Sequence, residues 1–170
     1  MVLALSLFVT AGLSTVEAAG DLTTGTVSGL VLPRFVSLKA DRVNVRRGPN
    51  KDNEVAWVYT RAGLPVEITA EYENWRRIRD WEGAEGWVYQ SLLSGRRTAL
   101  VSPNAKTADE LIPIYERADA RSNVAARLQT GVLATVKGCS GTWCRIAGDG
   151  FDGWIEQERL WGVYPNETME

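Results

Sequence analysis

The feature that most constrains the fold is an internal duplication. Trp75-Arg76-Arg77-Ile78 matches Trp143-Cys144-Arg145-Ile146, and Gly86-Trp87-Val88 matches Gly153-Trp154-Ile155. Gly63-Leu64-Pro65-Val66 precedes the first motif by twelve residues, as Gly131-Val132-Leu133-Ala134 precedes the second. Leu93 and Leu160 each follow the Gly-Trp tryptophan by six residues, and "VNVRRGPNKDNEVA" at 43–56 pairs with "IPIYERADARSNVA" at 112–125. The offset stays between 67 and 69 residues, so the chain contains one unit twice, with small loop differences.

Neither unit has a helical hydrophobic period. The first has short β-type runs at 43–45, 55–60, 65–70, 75–79 and 86–89, separated by Gly-Pro-Asn and Glu-Gly-Ala turns. Five to six short antiparallel strands in about 60 residues predict an all-β chain of two small barrels rather than a sandwich. Units of this size bury little core alone, which favours packing one against the other. "RRTALV" at 96–101 reads as the last strand of unit one, with "WGVY" at 161–164 as its counterpart.

Composition narrows the chemistry. The chain has no histidine, which removes His-based nucleophile activation, His-ligated zinc and the usual general acid–base group near neutral pH. Paired carboxylates or a Ser/Lys pair stay open as catalysts, but the sequence points to neither, and we expect no catalytic residues, no metal and no cofactor. Net charge is −2, positive over 36–101 and negative beyond, which is no nucleic-acid footprint. Residues 2–13 form an apolar run of signal-peptide length with a small-residue site at 16–18, so 1–18 is expected to be a signal peptide. The competing reading is a buried apolar segment. Export predicts a periplasmic or secreted protein, with no membrane span in the mature chain.

The order N-V-R-x-G-P, Gly-Leu-Pro-Val, W-x-x-I and G-W-V before a leucine resembles bacterial SH3 (Src-homology-3-like) domains. The run from "AWVYTRAGLPVEITAEYENW" to "SGRRTALV", with "CSGTWCRI", "GWI" and "LWGVYP" in unit two, is similar to exported tandem-domain proteins of the alphaproteobacterial type. The resemblance implies two tandem SH3-like barrels, at 36–101 and 108–166, after an extension at 19–35 and around a linker at 102–107. It implies a non-catalytic binding module for a cell-envelope ligand, either a peptidoglycan peptide or an extended protein segment. The alternative is a structural or assembly role through intramolecular or homomeric contacts. Unit two departs from the pattern, with "IPIYERAD" lacking the Arg-x-Gly-Pro turn.

Strand alternation places Ile78 and Ile146 inward, Cys144 with them, and sets Trp75 with Arg77 and Trp143 with Arg145 on the outer face. These pairs are candidate stacking platforms, or else cover the barrel edge or the contact between units. The tryptophans after Gly86 and Gly153 suit a core or rim role beside a close backbone approach. Trp57, Tyr59, Tyr72 and Trp81 have no aromatic counterpart in unit two. With Arg46, Arg47, Arg76 and Arg79 they predict either a groove for an acidic ligand or a solvated charged surface. Cys139 and Cys144 flank a predicted hairpin turn and are expected to form a structural disulfide if their Cα atoms approach to about 5.5 Å. Redox catalysis and metal binding fit the spacing less well.

Overall fold

The structure, a computed structural model, describes residues 22–103 and 111–170. The expected signal peptide and most of the expected linker lie outside the described residues. The chain is all-β. A small hairpin of β1 (Thr23–Thr24) and β2 (Val31–Leu32) leads into β3 (Arg34–Leu38), β4 (Val43–Arg46), β5 (Val55–Tyr59), β6 (Pro65–Tyr72), β7 (Trp75–Arg79), β8 (Glu85–Tyr89) and β9 (Leu93–Ser94). The second unit holds β10 (Thr98–Val101), β11 (Ile112–Tyr115), β12 (Val124–Leu128), β13 (Leu133–Ser140), β14 (Trp143–Gly148), β15 (Phe151–Glu156) and β16 (Leu160–Trp161).

The two seven-stranded antiparallel sheets share one topology, β5-β4-β8-β7-β6-β3-β9 and β12-β11-β15-β14-β13-β10-β16. Both carry a bulge at the same place, between Ile68 and Ala70 on β6 and between Val136 and Gly138 on β13. Period-2 patterning builds each core: Val43, Val45, Val66, Ile78 and Val88 in one, Ile112, Ile114, Ile146 and Ile155 in the other. The glycine before each strand tryptophan is explained by close approach. A Cβ on Gly86 would strike the Val45 side chain, and one on Gly153 would lie 2.9 Å from Ile114 Cδ1.

The "RRTALV" strand corrects the sequence reading. β10 pairs with β13 and β16, so it opens the second sheet instead of closing the first. Its counterpart is β3, and β16 answers to β9. All four residues of β10 are buried, because its two faces serve different partners. Ala99 and Val101 point into the core of unit two. Leu100 joins the core of unit one, and the Thr98 hydroxyl donates to Gly63 O at 2.6 Å. An apolar run that ends one unit by sequence thus joins both in space.

Candidate functional site

Packing the units together leaves a cleft of about 660 Å3 between them. Its floor comes from unit one. Register across β3, β6 and β7 aligns Phe35 with Glu67 and Glu67 with Arg79, one row on one face of the sheet. Unit two supplies the opposite wall through Leu160, Trp161, Val163 and Tyr164. Phe35 meets Trp161 edge-on at 5.2 Å and Tyr164 at 4.7 Å. The arrangement is an apolar and aromatic concavity with a few placed polar groups, the usual build of a ligand site.

Glu67 is the polar centre of this row. It is 2 % exposed, and a buried carboxylate must be paired to stay charged. Arg79 Nε donates to Oε2 at 2.8 Å, and Tyr164 Oη donates to Oε1 at 2.8 Å from the other unit. Burial first, then the Glu67 carboxylate, hold the Tyr164 phenol well above its ordinary range, so it stays a neutral donor. Arg97, in the short connector before β10, braces the wall. Its guanidinium donates to Glu167 at 2.7 and 3.0 Å and to Gly162 O at 2.7 Å, and lies 6.0 Å from the Phe35 ring centre.

Of these groups the sequence singled out Arg79 alone, as part of a basic face and not of a cleft, although a signal was there for the others. By strand register Phe35, Glu67 and Arg79 correspond to Thr98, Thr135 and Ala147 of unit two, and Trp161 corresponds to Ser94. They are therefore unrepeated, as specialised residues in a duplicated fold should be. Only the packing of the units shows that they converge.

The residues singled out by sequence sit elsewhere. Trp57, Tyr59 and Trp81 form a continuous array in unit one, with ring centres 6.2 and 6.4 Å apart. Tyr59 is buried at its middle and donates to Asp80 Oδ2 at 2.7 Å. Burial and that hydrogen bond raise its phenol above the ordinary range. Asp80 also accepts from the Glu82 and Ala84 amides, so the array is tied to the β7–β8 turn. Tyr72 stays half exposed at the end of β6.

Trp75 is 7 % exposed, covered edge-on by Tyr89 at 5.4 Å within its own barrel. Trp143 leans on Tyr115 at 5.7 Å in the same manner and is half-buried. Arg77 pairs with Glu85, and Arg145 with Asp152 at 2.7 Å. The arginines named with these aromatics are each engaged close by. Arg46 donates to Asn53 O, Arg47 pairs with Glu54, Arg79 binds Glu67, and Arg76 lies buried against Glu71. Three of the four are ion-paired, and Arg46 is hydrogen-bonded to a backbone carbonyl. Cys139 and Cys144 face each other across β13 and β14 and are disulfide-bonded, with Cα atoms 4.0 Å apart.

The fold and cleft define a tandem pair of SH3-like barrels joined into one body. The sequence profile of the bacterial SH3 domain family matches residues 39–95 and 108–162, and the chain belongs to that family. Comparison with curated proteins returns no match. Among solved structures, NlpC2 from Trichomonas vaginalis is 15 % identical at a TM-score of 0.35, covering 76 % of this chain and 48 % of that one. NlpC1 from the same organism is 14 % identical at 0.36, covering 81 % and 48 %. The endolysin LysPBC5 CBD is 18 % identical at 0.30, covering 74 % and 90 %. The chain thus spans about half the length of the two NlpC chains.

Proposed function

We propose that the protein is an exported, non-catalytic binding protein that holds an extended cell-envelope peptide in the cleft between its barrels. The carrying observation is the cleft itself: Phe35, Trp161 and Tyr164 around a buried, fully paired carboxylate, complete only with both units in place. Membership of a bacterial SH3 family supports a binding role, and the Cys139–Cys144 disulfide fits an oxidising compartment. Groups fixed before the ligand arrives reduce the ordering cost of binding. The ligand sits at the cleft in this reading, while the Trp57–Tyr59–Trp81 array belongs to the scaffold of unit one.

Retention on purified peptidoglycan sacculi tests this. The wild-type chain is expected to be retained, Tyr164→Ala to lose most of its retention, and Trp57→Ala to keep it. If the wild type is retained no better than an unrelated β-barrel protein, peptidoglycan binding is refuted. If Trp57→Ala is the variant that loses retention, the site lies on unit one and not in the cleft.

A further inference from the structure

We infer that the cleft selects a cationic segment of its ligand, one that carries a primary ammonium group. This rests on the cleft being the binding site. Three carboxylates line it, Glu67, Glu156 and Glu158, against one guanidinium, that of Arg79. Arg79 is already bound to Glu67, so the surplus is two negative charges, those of Glu156 and Glu158. Neither has an ion pair among the described residues. A concave site with low-dielectric walls focuses such a field and draws in the opposite charge.

The position of these two carboxylates is built. They flank Gln157, which is buried and held at both ends of its amide: Nε2 donates to Glu167 O at 2.7 Å, and Oε1 accepts from the Asn166 amide at 2.8 Å. A single 3-10 turn, Gln157–Arg159, fixes the backbone there. The same turn recurs in unit one as Gln90–Leu92, where Gln90 follows Tyr89 and precedes Ser91. The glutamine is common to both units and is scaffold. The glutamates occur only in the copy that faces the cleft.

The rest of the lining agrees with a cation. The aromatic side chains of Phe35, Trp161 and Tyr164 offer ring faces and edges beside the acidic rim, and an ammonium is attracted to ring faces as well as to carboxylates. An anionic ligand would meet a lining of net negative charge. A neutral peptide gains at most hydrogen bonds from Glu156 and Glu158, without charge pairing. An amino group on a peptide side chain or chain end satisfies both features at once.

The experiment uses the whole chain and paired probes: sacculi with free amino groups against the same sacculi N-acetylated, and an end-blocked pentapeptide with a central lysine against its Nε-acetyl-lysine form. Binding is read by retention and by calorimetry. Acetylation is expected to weaken wild-type binding roughly tenfold, the scale of one charge-assisted contact. Glu156→Gln with Glu158→Gln is expected to bind both forms alike. Asp52→Asn with Asp149→Asn, an equal charge change away from the cleft, should keep the preference. Equal binding of native and acetylated probes by the wild type would overturn the cationic selectivity while leaving cleft binding intact. Binding of neither would overturn the binding reading itself, and this arm needs no variant to fold.

Discussion

At the scale of single residues, Glu71 concentrates more interactions than any other side chain described above. Its carboxylate is 1 % exposed, and accepts from the Val27 and Ser28 amides, the Ser28 hydroxyl and Arg34, with Arg76 Nε 3.4 Å away. Burial by itself would push its pKa up. The Ser28 and Arg34 hydrogen bonds and the Arg76 charge outweigh it and pull the value from 4.5 down to about 2. A carboxylate more acidic in the folded state stabilises the fold above its unfolded pKa and loses that contribution as pH falls through the folded value. Stability should therefore decline between about pH 4.5 and 2, by about 3 kcal/mol from this group. Urea midpoints at pH 7 and pH 3 check it. Glu71→Gln should start lower at pH 7, because Arg76 is left buried and unpaired, and should show a shallower acid decline.

At the scale of elements, the two long hairpins solve one problem with different chemistry. Glu71 faces Arg76 across β6–β7 where Cys139 faces Cys144 across β13–β14. A buried ion pair in one unit stands where a disulfide stands in the other. Each also fastens a terminal segment: Glu71 receives the loop at 27–28, and the backbone of Cys139 exchanges both hydrogen bonds with Met169. Cys139→Ala with Cys144→Ala should cost about 2 kcal/mol, since the closed loop is short. Amide exchange should rise at Met169 before it rises in β11 or β15. The hairpin tips give a second expectation. Glu73 is left-handed at φ 48°, where unit two has Gly141 at φ 59°. Glu73→Asn should raise stability by about 0.5–1 kcal/mol in denaturant unfolding, because asparagine tolerates this conformation in a two-residue turn. The hairpins were legible in the sequence down to the bounds of β7, because alternating side chains and turn residues are local signals. The Glu71–Arg76 pairing was not, because a bulge between Ile68 and Ala70 shifts the register and no local pattern reveals it.

At the scale of the molecule, what the sequence concealed is how the repeats meet. Duplication and fold were readable from five matched anchors, but β10 looked like the end of unit one because its apolar run lacks alternation. That run is apolar on both faces because it lies between two cores. The same packing creates the cleft, which is why Phe35, Glu67, Arg79 and Tyr164 were invisible as a group. Interlocked cores also make a thermodynamic statement. Leu100 belongs to the chain of unit two and the core of unit one, and Gly162 sits so close to β10 of its own unit that a Cβ there would strike Thr98 O, while lying 3.2 Å from Pro65 Cβ of unit one. Gly162 is also left-handed, at φ 124°, so alanine there is strained as well as crowded. Calorimetry should record one unfolding transition for the wild type, with the measured enthalpy equal to the van't Hoff value. Leu100→Ala should cost about 2–5 kcal/mol and lower that single transition, because it empties volume in the core of unit one that a strand of unit two fills. Gly162→Ala, which pushes against β10 within unit two at the seam with unit one, should lower that transition and weaken retention on sacculi in parallel. A wild-type transition temperature for Gly162→Ala would show that the fold does not depend on this close approach.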